Sequence, residues 1–169
     1  AEAAFAGDTI YIEAYDTSYV SDIIDLSGVL TKKAYVDLSS QIGGSIIIAG
    51  KNQNTLLGGQ KADGDDLFIF NSAGYLKSAS IVGGGGIDTL RIAANAQTIT
   101  SDTLSGVSGV DVLDISGAGN NITLGTISAA FSTIVGGTVT TSIAGSLFCL
   151  PLMFLAEGSG IAALDPVMP

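Results

Sequence analysis

Between Gly83 and Arg91 the chain reads Gly-Gly-Gly-Gly-Ile-Asp-Thr-Leu-Arg, and here residue type and spacing point to a definite chemistry. Glycines let a backbone turn tightly enough to aim several carbonyl oxygens at one point, and Asp88 adds a hard anionic oxygen. Calcium, which takes roughly six to eight oxygens at about 2.3–2.6 Å, is the ion such a turn would hold. The stretch satisfies every specified position of the nonapeptide Gly-Gly-x-Gly-x-Asp-x-hydrophobic-x, so Gly84, Gly86 and Asp88 are candidate metal-site residues. Weaker copies extend the set. Gly106 to Asp114 lacks only the second glycine and contributes Gly109 and Asp111; Gly58-Gly59 followed by Gly64-Asp65-Asp66 carries extra residues and contributes Gly64 and Asp66. A further copy, Ser116 to Asn121, has Asn where Asp is expected. The same pattern also fits plain turn chemistry, in which an aspartate bonds its own backbone. A solvated or turn-capping role is expected of Asp22, Asp25 and Asp114.

Other chemistries are excluded or unsupported. The chain has no histidine, which removes His-based zinc sites and Ser-His-Asp or Cys-His catalysis. Its lone Cys149 lies in an apolar run and reads as a buried thiol. No Lys-Ser/Thr follows the tetraglycine, so it is not a phosphate loop, and no helical pattern follows to make it a dinucleotide fingerprint. Sixteen acidic against six basic residues give a net charge of −10, which leaves no basic patch for nucleic acid. The carboxylate pair Asp65-Asp66 is read as having no aromatic platform, and no tryptophan, to hold a sugar for hydrolysis. The threonines of Thr98-Ile99-Thr100 and Thr138 to Thr141 do not recur at a fixed spacing, as an ice-binding array would require. An enzyme is not expected.

The elements that must position the aspartates follow from a repeat. Asp22-Ile-Ile-Asp-Leu-Ser-Gly28 matches Asp111-Val-Leu-Asp-Ile-Ser-Gly117 almost residue for residue. Strand-like runs begin at Asp22, Gly44, Asp66, Asp88 and Asp111, a period of about 22, with glycine at the corners. Such a period suits one coil of an all-β parallel solenoid, or β-roll, whose coils bury an inward face only by stacking. An antiparallel β-sandwich is the alternative. A short helix is placed at Ala93 to Gln97 or in the C-terminal segment. Residues 1–19 read as an N-terminal strand leading into the repeats, 20–144 as the solenoid, and 145–169 as an apolar cap or subunit contact. The apolar stretch Leu147 to Ala156, about 10 residues, is short of the roughly 20 a membrane helix needs. No signal peptide is visible, so the start reads as a mature or processed end.

On the nonapeptide and its weaker copies the sequence resembles the RTX (repeats-in-toxin) family of secreted bacterial proteins over residues 22–143. The Asp-Ile-Ile-Asp-Leu-Ser-Gly and Asp-Val-Leu-Asp-Ile-Ser-Gly segments are similar to variant repeats of large RTX-like adhesins and surface-layer proteins. The spacing of 22–23 departs from the tandem 18-residue coil of that family, so isolated calcium sites rather than a column are implied. The resemblance implies a secreted, extracellular, calcium-stabilised structural protein that assembles with itself into a filament, surface layer or adhesin. Cell-surface polysaccharide is a candidate partner, and a non-catalytic calcium-binding module of a secreted enzyme is the alternative.

Overall fold

The computed structural model describes residues 9–15, 21–61, 64–123, 131–136, 143–144 and 153–156, the last two segments as backbone only. The sequence places β-branched and leucine residues in short alternating runs, and these become strands of two to five residues separated by tight turns. Every strand pair is parallel. The result is the expected β-solenoid, of about five turns.

One side is a seven-stranded sheet formed by β2 (Ile23–Asp25), β4 (Ile46–Ile48), β6 (Leu67–Phe70), β8 (Thr89–Ile92), β11 (Val112–Ile115), β13 (Thr133–Gly136) and β15 (Met153–Ala156). A five-stranded sheet holds β1 (Thr9–Glu13), β3 (Lys33–Asp37), β5 (Asn54–Leu57), β7 (Ser80–Val82) and β10 (Val107–Ser108). The third side becomes a sheet only in later coils, through β9 (Thr98–Thr100), β12 (Asn121–Thr123) and β14 (Ile143–Ala144). The segment 145–169 lies outside the described residues except for β15, which pairs with β13. Cys149 also lies outside them.

Period-2 alternation on stacked coils turns single inward residues into columns. In the seven-stranded sheet Ile47, Phe68, Leu90, Leu113 and Ile134 stand in register, each at most 1% exposed. Val36, Leu56, Ile81 and Val107 form the matching column opposite. Each coil therefore completes the burial of its neighbour, so the core is continuous along the axis.

Of the two places expected for a short helix, the C-terminal segment lies outside the described residues apart from β15. Ala93–Gln97 is not helical; the one helix among the described residues is α1 (Ala73–Leu76). Ser72 caps it by accepting from the Gly74 amide, and Ala73 and Leu76 are buried. The periodicity is too brief for sequence to separate a single turn of helix from a bend, and the core contacts of Leu76 decide it.

Candidate functional site: the glycine–aspartate corner

The repeat places one residue immediately before each of six strands of the seven-stranded sheet, β2 to β13. Asp22, Ser45, Asp66, Asp88, Asp111 and Ser132 occupy this position on successive coils. Their carbonyls form a ladder that accepts from Ile46, Leu67, Thr89, Val112 and Thr133 in turn. The three strongest candidate residues, Asp66, Asp88 and Asp111, thus stand one above another.

Their carboxylates do not splay outward. Each reaches to the preceding coil and accepts the amide of the residue that holds its own place there. Ser45 N–H donates to Asp66 Oδ1 at 2.8 Å, Asp66 N–H to Asp88 Oδ1 at 2.8 Å, and Asp88 N–H to Asp111 Oδ2 at 3.0 Å. Asp66 Oδ2 also accepts from Gly59 N–H at 2.8 Å. On the coil that carries Ser45 in place of an aspartate, side chains bridge the corner instead: the buried Gln41 donates its amide to Asp22 Oδ2, and its Oε1 accepts the Ser45 hydroxyl at 2.6 Å. A backbone amide at a solenoid corner has no strand partner of its own, and leaving it buried and unpaired is costly. The side chain of the next coil supplies the acceptor.

Burial has an electrostatic consequence. Asp66 and Asp88 are 1% and 0% exposed. Loss of hydration raises Asp66 to about 6, against the opposing pull of the Ser45 and Gly59 amides. The same desolvation raises Asp88 to about 7; the Asp66 amide opposes it, and the negative charges of Asp66, Asp111 and Asp65 add to it. Asp88 Oδ2 is buried without a hydrogen-bond partner, which favours a carboxylic acid over a carboxylate there.

The glycines are explained by the same stacking. A β-carbon on Gly83 would overlap the Gly109 carbonyl oxygen and crowd Asp88 Oδ2; one on Gly84 would overlap the Gly59 carbonyl, and Gly84 also has φ 114°. Gly86 (φ 107°) sits against Gly64 and Asp65, and Gly109 has φ 61°. Gly64 donates to the Lys61 carbonyl at 3.0 Å. Close backbone approach between coils therefore suffices to require the tetraglycine. Asp65, which the sequence offers only as half of the Asp65-Asp66 pair, accepts the Ile87 amide at 2.7 Å.

Whether these residues could cage calcium is a question of free oxygens. Asp66 has both carboxylate oxygens on amides, Asp88 and Asp111 each have one, and the Gly59 carbonyl accepts from Gly85. Among the described residues no three His, Cys, Asp or Glu side chains are grouped to hold a metal. Asp88 Oδ2 and the second Asp111 oxygen accept no amide among the described residues, but two such oxygens fall far short of the roughly six to eight that calcium takes, so the described arrangement does not fit a calcium cage.

A second corner shows what the arrangement does. Before β9 and β12 stand Gln97 and Asn120. Asn120 Oδ1 accepts Gln97 N–H at 2.8 Å, and Gln97 Oε1 accepts Ala73 N–H at 3.0 Å. The device is the same, built from uncharged carboxamides. Asn120 is fully buried at this corner, whereas the aspartate position of the degenerate copy falls on the next residue, Asn121, the first of β12. By contrast Asp25 and Asp114 follow the expected turn chemistry, and Asp37 does the same, each accepting the amide two residues ahead from Ser27, Ser116 and Ser39 respectively. Those contacts lower Asp25 and Asp37. Burial alone would raise Asp114, but Ser116 and the Arg91 guanidinium hold it low.

Compared with known proteins, the chain matches no protein-family model, no curated protein and no solved structure.

Proposed function

We propose that the chain is a structural building block, a secreted solenoid that assembles with itself into an extracellular filament, surface layer or adhesin. The observation that carries the reading is the pair of strand edges at the first coil. β1 and β2 are the terminal strands of their sheets, and among the described residues nothing pairs with their outer sides. An unpaired strand edge is a template for another chain. Ile23, on the edge strand β2, is 70% exposed where a charged residue would discourage such pairing. In the adhesive form of this role the partner is a cell-surface polysaccharide. Stability is assigned to the strand ladders and corner caps, so assembly is expected to persist in chelator.

Sedimentation velocity across a concentration series, with electron microscopy of the same samples, tests the reading. Wild-type protein should shift to larger species as concentration rises, and Ile23→Lys should move that transition to higher concentration while keeping the β signal in circular dichroism. A chain that stays monomeric at every concentration would refute self-assembly.

A further inference from the structure

The outer face of the five-stranded sheet carries an arrangement the fold does not need. Tyr11, Tyr35, Thr55 and Ser80 are register partners on consecutive strands, so they form a row across four coils. At the strand spacing of a β-sheet this row is about 14 Å long, the span of about three pyranose rings. The Tyr11 and Tyr35 rings lie 5.7 Å apart and tilted by 42°, and Tyr11 remains 72% exposed. A cross-strand aromatic pair adds stability, but a ring left this open gains little from burial.

Beside the row is a groove of about 360 Å³, within the size range of ligand sites, lined also by Lys33 and Gln53. Donors and acceptors are separated across the tyrosines. Lys33 precedes the Tyr35 ring on β3, while Glu13 and Asp37 lie beyond the two rings on β1 and β3. Carboxylates on that side, in a chain of net charge −10, repel an anionic ligand. A ligand matched to this face is uncharged, presents flat C–H surfaces to the rings, and carries hydroxyls that both donate and accept.

We propose that this groove binds a neutral glycan chain, with its pyranose rings laid along Tyr11, Tyr35, Thr55 and Ser80. The proposal deepens the adhesive form of the function proposed above by giving the polysaccharide partner a site and a charge class. It does not depend on self-assembly, because the row lies within one chain.

The test is an amide NMR titration of the monomeric protein at low concentration. The probes are neutral tetrasaccharides (β-1,4-linked glucose, β-1,4-linked N-acetylglucosamine, β-1,4-linked mannose and α-1,4-linked glucose), with tetragalacturonate and a lysine tetrapeptide as charged probes. At least one neutral probe should give saturable shifts confined to residues on β1, β3, β5 and β7. Tyr35→Ser should weaken that binding by about tenfold, the scale of one lost aromatic contact. Thr123→Ala, on a different sheet, should leave it unchanged, and the unperturbed amide spectrum of each variant serves as the folding control. Absence of saturable shifts with every neutral probe, binding only of a charged probe, or undiminished binding by Tyr35→Ser would overturn the proposal. Those results leave sedimentation unaffected, so failure of the groove and failure of self-assembly are read separately.

Discussion

Two corners of this solenoid solve one problem with different chemistry. Before the seven-stranded sheet, buried amides are capped by Asp66, Asp88 and Asp111; before the three-stranded sheet, the capping groups are Gln97 and Asn120. Geometry is nearly shared, since each side chain accepts the amide of its counterpart or a near neighbour one coil earlier, at 2.8–3.0 Å. Charge is not shared. Capping by itself therefore does not require a carboxylate, and the aspartate corner acquires a property the carboxamide corner lacks, namely dependence on pH.

The sign of that dependence is opposite for the two kinds of aspartate. Asp66 and Asp88 have folded-state values raised to about 6 and about 7. Between their ordinary range and those values the folded chain binds protons that the unfolded chain does not, so stability falls as pH rises through that window. Their contribution is fully present below the ordinary carboxyl value and lost above about 7. Asp25, Asp37 and Asp114 are lowered, so their contribution is present above the ordinary value and lost as pH falls through the folded one. Together they predict a stability maximum in mildly acidic solution.

The largest expected effect comes from breaking the close packing on which the aspartate corner depends. Gly83→Val places a side chain where the Gly109 carbonyl and the Asp88 carboxyl already sit, and should cost about 3 kcal/mol or more in urea unfolding. Next comes converting the neutral corner into the charged one. Asn120→Asp buries a carboxyl at a fully enclosed position, so its loss should be small at pH 5 and reach about 3 kcal/mol at pH 8. The reverse exchange, Asp88→Asn, keeps an acceptor for the Asp66 amide and cannot ionise. Its melting temperature should approach that of wild type at pH 5 and exceed it at pH 8. Smallest is Arg91→Gln, which removes the 2.7 Å ion pair with Asp114 on a half-exposed side chain and should cost about 1 kcal/mol or less.

Much of the fold is legible in the sequence. The period read from Asp22, Gly44, Asp66, Asp88 and Asp111 marks the starts of β2, β4, β6, β8 and β11, because a repeat that cannot bury its own face forces stacking at that spacing. Asp25 and Asp114 behave as turn caps, a contact made within three residues and so visible locally. The inward turn of Asp66 and Asp88 is not visible, since their partners lie 21 and 22 residues away and exist only after coils stack. The capping roles of Gln97 and Asn120 are hidden for the same reason, and so is the row begun by Tyr11 and Tyr35, whose alternation marks a strand but not what its outer face meets.

The glycine–aspartate corner is read here as an internal hydrogen-bonded stack and not a metal cage. Thermal unfolding followed by far-UV circular dichroism, at pH 5 and pH 8, in chelator and in millimolar calcium, tests it most directly. An internal stack should show the same melting temperature with and without calcium at either pH, and a higher one at pH 5. A melting temperature that rises with calcium, collapses in chelator and is higher at pH 8 would contradict it, because ionised, ion-bound aspartates would then hold the corner.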